Sequence, residues 1–155
     1  MSFTFVRGAG NSVEPAAIHM YASGVVHPGG VVFFDETKNA VAAGAANSTT
    51  TNIVGVALDY AQGYSDTMVR VLPFAQGQIW QADCANAIST ASIGLRHQLA
   101  SDTVLRNVTS ISESVSTGIF LVYNVTGLTT GSGKVLGTFL QRPSFLGKDG
   151  VTATT

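Results

Sequence analysis

Apolar residues in this chain come in short runs, each closed by Gly, Pro, Asn, Asp or Ser, and almost nowhere do they keep the spacing of a helix face. That pattern limits the chain to strands and turns. Val25-Val26 is followed by the turn His27-Pro28-Gly29-Gly30 and then by Val31-Val32-Phe33-Phe34. Ile53 to Leu58 is a continuous apolar run of the kind a doubly covered strand needs. Met68 to Leu72 alternates in the manner of a half-buried strand until Pro73 ends it. These two runs are expected to pair across the loop that joins them. Gln78 to Ala82 supplies another strand, with later ones at 95–99, 103–108, 117–125 and 135–140. Residues 35–51 read as a loop around a weak strand, and 84–94 as either a short helix or an irregular crossing.

The expected fold is all-β, a small β-barrel or sandwich (β-tulip-like). Residues 1–24, broken by Gly8, Gly10 and Pro15, read as an extended N-terminal arm able to lend a strand to a partner. Residues 25–147 form the β-domain, either one body or two subdomains split near residue 95, and 148–155 form a C-terminal tail. A length of 155 residues suits a single core.

Only 11% of the residues are charged, against about 25% in a typical globular domain. The surface is made polar by 17 Thr and 14 Ser instead. With a net charge of −1, no field draws in phosphate backbones or anionic lipid, so neither nucleic acid nor membrane is an expected partner. The N-terminus lacks the basic-then-apolar order of a signal peptide, so synthesis and folding in a cytoplasm are expected. A single cysteine, Cys84, rules out an internal disulfide and offers no ligand pair for zinc.

The reactive residues form no recognisable site. No Gly-x-Ser-x-Gly turn exists to present a nucleophile. His19, His27 and His97 read as solvent-facing or interface histidines. Asp59 and Asp66 bracket one loop and are more simply explained as turn-formers than as cation ligands. Adjacent Asp35 and Glu36 point to opposite faces of a strand and make no acid/base pair. The segment from Gly127 to Val135 imitates a phosphate-binding loop, but its spacing is one residue too long, Val135 stands where Ser or Thr is required, and a strand follows. It reads as a hairpin tip. Three Asn-x-Thr/Ser triplets, beginning at Asn47, Asn107 and Asn124, read as coincidences of a Thr-rich chain. No catalytic residue, cofactor or metal ligand is assigned, and an enzyme is not expected.

In order, Pro28-Gly29-Gly30-Val31-Val32-Phe33, Asn52 to Leu58, Val69-Arg70-Val71-Leu72-Pro73 and Gly77 to Asp83 resemble the small β-domain of tailed-bacteriophage capsid decoration, or cement, proteins. The resemblance covers residues 25 to about 95. It departs where Gly30 lacks a following Asp and where Pro73 replaces a Gly. The resemblance implies a structural protein on the capsid exterior of a virion, a homo-oligomer with a trimer favoured, that bridges subunits of the major capsid protein. On that footing Phe3, Phe5 and Arg7 are the expected capsid contacts of the arm. Arg70, Phe74 and Trp80 are expected to pack subunits or capsid, aromatics and Arg being favoured at interface hot spots. The competing expectation is a carbohydrate- or receptor-binding module of a phage fibre or cell surface, with Trp80 as a platform for sugar.

Overall fold

The computed structural model describes residues 2–8, 14–35, 37–46, 53–62, 67–75, 77–114, 118–126 and 133–140. Its strands are β1 (Phe3–Arg7), β2 (Ile18–Tyr21), β3 (Val25–Val26), β4 (Val31–Asp35), β5 (Ala40–Ala43), β6 (Ile53–Ala57) and β7 (Ala61–Gln62). There follow β8 (Met68–Pro73), β9 (Ile79–Asp83), β10 (Arg96–His97), β11 (Leu99–Ser101), β12 (Val104–Leu105), β13 (Phe120–Val125) and β14 (Lys134–Phe139). The crossing after β9 contains one 3-10 turn, Thr90–Ser92, whose start Ser89 caps by accepting from the Ala91 amide. The fold is all-β and sandwich-like, and its sheets do not close into a barrel.

Two five-stranded antiparallel sheets make the two layers. The first runs β1-β9-β14-β13-β10 and the second β2-β8-β6-β4-β5, with small β3-β7 and β11-β12 pairs beside them. The expected pairing of the Ile53 and Met68 runs is present, Val56 lying opposite Leu72 and Ala57 opposite Val71. The layers do not follow the two halves of the sequence. Strands β13 and β14 join β9 and β1 in one sheet, and the main core draws on residues from Phe3 to Phe139.

β6 is buried along its whole length because both its faces are covered. Ile53 and Val56 face the core between the sheets, while Val54 and Ala57 face a second, smaller core with Ala22, Val26, Val32, Val41, Val69 and Val71. A register shift against Val32 and Phe33 makes this split, since an extra residue at Val54 changes which side later residues face. Gly55 tolerates that crowding: a Cβ there would run into the carbonyl oxygen of Leu72. The second sheet curls until Ala22 bridges Val41, and the Ser23 amide donates to Val41 O at 2.8 Å.

The N-terminal segment departs from the expectation of a free arm. Residues 3–7 pair with β9, Phe3 opposite Ala82 and Phe5 opposite Trp80. The Ser2 amide donates to Asp83 Oδ2 at 2.8 Å. The alternation Phe3, Phe5 already met the requirement of an edge strand, and this chain's own sheet supplies the partner. The tail at 148–155 lies outside the described residues.

Candidate binding surfaces

No cluster of three or more His, Cys, Asp or Glu residues able to hold a metal exists among the described residues. The three histidines are scattered. His97 is buried, and its Nδ1 meets Arg106 O at 3.0 Å while Nε2 has no hydrogen-bond partner among the described residues. Burial holds this imidazole below its ordinary value of 6.5, so it sits neutral in the core. Its buried position corrects the expectation of a solvent-facing or interface residue. His27 Nδ1 meets Asp102 Oδ2 at 2.9 Å and ties the turn before β4 to the β11-β12 hairpin. His19 lies on β2 opposite Arg70.

The carboxylates serve as local ties. Asp59 accepts from the backbone amide, Nε and Nη2 of Arg70, the shortest bond being 2.7 Å, and these bonds hold its carboxyl below the usual range. Asp66, its suggested companion, lies outside the described residues. Asp35 accepts from the amide and hydroxyl of Thr37, closing a turn, and Glu36 lies outside the described residues. Asp83 is buried and gathers the Ser2 amide and Lys134 Nζ, the latter at 2.5 Å, fastening β1, β9 and β14 together. Lys134, the lysine of the false phosphate loop, therefore opens a strand and has a structural partner. The tip at 127–132 lies outside the described residues. Cys84 is buried, and burial followed by the nearby Asp83 charge pushes its thiol up to about 12, far from a reactive thiolate.

The residues expected at interfaces divide sharply. Phe3 and Phe74 are 3% exposed and Trp80 is 1% exposed, all three inside the core. The Phe74 and Phe139 rings stack at 3.9 Å, and Phe3 lies 5.2 Å from Phe139. Trp80 packs edge-on against Phe5, Phe74 and Phe139 and gives its Nε1 proton to Gln78 Oε1. These residues hold the two sheets together and have no surface to offer in this structure. At 1% exposure Trp80 presents no open ring face on which a sugar could stack in this structure. Phe5 is half-buried, whereas Arg7 and Arg70 are exposed.

Sequence reasoning missed the exposed face around Arg70. β2 and β8 set Tyr21 opposite Met68 and His19 opposite Arg70. Alternation puts all four on the side away from Val69 and Val71, which fill the small core. Tyr21 is 50% and Met68 47% exposed, a cross-strand apolar pair beside the Asp59–Arg70 ion pair. Only the β2-β8 pairing reveals it, because Tyr21 and Met68 are distant in sequence. A second surface is a cleft of about 370 Å³ beside β1, with Phe5, Pro28, Leu58 and Leu72 in its walls and Glu14 as the charged member of its lining.

No family model matches the chain, and a search of curated proteins found no match.

Proposed function

We propose that the chain is a structural protein of a tailed-phage virion that binds the capsid exterior and bridges neighbouring major capsid subunits, without catalysing a reaction. One arrangement carries this reading. Three of the motifs that resemble the decoration family fall on β4, β6 and β8, which are successive neighbours in one sheet, and the fourth forms β9. Three of the four motifs are thus brought together in one sheet, while β9 lies in the sheet that packs against it.

The surface supports a role in contact. A chain with 11% charged residues presents a largely neutral exterior, and the Tyr21, Met68, His19 and Arg70 face joins apolar area to a charged rim, the composition of a protein interface. We assign shell or subunit contact to this face. Arg70 keeps the role expected of it, while Phe3, Phe74 and Trp80 act from inside the core. Assembly as a homo-oligomer, a trimer being favoured, would multiply weak contacts through avidity.

Co-sedimentation with shells assembled from the phage's own major capsid protein tests the reading. Saturable binding is expected, weakened at least tenfold by Tyr21→Asp combined with Met68→Asp. A protein that ignores shells, or binds only a glycan array, overturns it.

A further inference from the structure

Among the described residues, the cleft beside β1 coincides with a sheet edge that no further strand covers. In an antiparallel ladder the N–H and C=O of one residue point the same way, and the direction alternates along the strand. The Phe3 amide donates to Gly29 O at 2.9 Å, away from β9. Phe5, two residues on, therefore turns its N–H and C=O to the same side, while Thr4 faces Gln81 within the sheet. Gly29 already supplies one backbone rung beside Phe3, and Phe5 offers the next. At other edges of the two large sheets, Ala22, just after β2, bridges Val41 of β5, and the Arg96 amide of β10 donates to Ser114 Oγ.

Gly29 is what keeps this geometry open. Its φ is +78°, which disfavours other residues, and a Cβ there would come within 2.5 Å of Ser2 Cβ. Beyond it, Phe5, Leu58 and Leu72 offer apolar wall, and Glu14 stands exposed as the charged lining residue. A register shift at Val6 ends the regular ladder before Arg7, so the edge accepts only a short segment.

We infer that this cleft is a strand-addition site for a short extended peptide segment of a partner protein. The segment sets an apolar side chain against Phe5, Leu58 and Leu72 and a Lys or Arg against Glu14. Backbone pairing at Phe5 supplies affinity and Glu14 supplies selection by charge. The inference stands on the cleft and the edge and does not depend on the shell reading.

The probe is an end-blocked octapeptide alternating Thr and Val with one central lysine, compared with its glutamate counterpart, each titrated into the full isotope-labelled chain. Amide shifts are expected at Thr4, Phe5, Gly29 and Leu58. The lysine peptide should bind roughly two- to fivefold more tightly, the range of an exposed ion pair, and Glu14→Lys should invert the preference. Failure of both peptides to bind at millimolar concentration overturns the inference. So do shifts confined to another surface, or a charge preference that Glu14→Lys leaves unchanged.

Discussion

Replacing Phe3 by Ala tests whether β1 belongs to the fold or is an arm for partners. The Phe3 ring is 3% exposed and lies 5.2 Å from Phe139 and 6.1 Å from Phe120, so truncation leaves a cavity between the two sheets. Core Phe→Ala changes cost about 3–5 kcal/mol. β1 has one ladder partner and can shift to fill part of the space, which puts the expected loss near ~3 kcal/mol. With a urea m-value of about 2 kcal/mol per molar, the midpoint should fall by ~1.5 M. Trp80 is the only tryptophan and sits against Phe5, Phe74 and Phe139, so its fluorescence reports unfolding of this same core. The comparison variant is Arg7→Ala, on the same strand but exposed, whose midpoint should barely move. A loss below about 1 kcal/mol for Phe3→Ala would refute the placement of β1 in the core and restore a free arm.

Three further outcomes follow from buried groups. His97 has its protonation disfavoured in the folded chain, while the unfolded chain takes up a proton near 6.5; stability should therefore drop as pH falls below 6.5, and His97→Phe should flatten that part of a urea-midpoint profile. The Cys84 thiol, pushed up to about 12 by burial, should resist alkylation at pH 8 in native protein and react at once in denaturant; labelling of the native chain at the denatured rate would contradict its placement. Gly55→Ala should destabilise by about 1–3 kcal/mol, because its Cβ meets the Leu72 carbonyl and backbone must move, as a thermal melt would show.

The strands that were legible in the sequence are those whose environment leaves a local mark. β6 is apolar throughout because two cores cover it, and β8 alternates because only Val69 and Val71 point inward at its start. Longer-range facts leave no such mark. Phe3 and Phe5 alternate as well in an arm as in an edge strand, and the partner that decides between them, Asp83 for the Ser2 amide, lies 81 positions away. Trp80 and Phe74 could be assigned to interface or core with equal right, since aromatic side chains suit both; the stack with Phe139 decides it. The Tyr21–Met68 pair and the cleft exist only after strands distant in sequence come together. The enclosed Nε2 of His97 was equally invisible, because its neighbours come from the crossing that follows β9 and from Arg106.

Electron cryo-microscopy of shells incubated with the chain tests the proposed contact on a capsid exterior without an intermediary. The account predicts added density outside the shell at junctions between capsid subunits, with the β2-β8 face around Tyr21, Met68 and Arg70 buried against shell or neighbouring copies. Undecorated shells at saturating protein, or density confined to the interior, would contradict it.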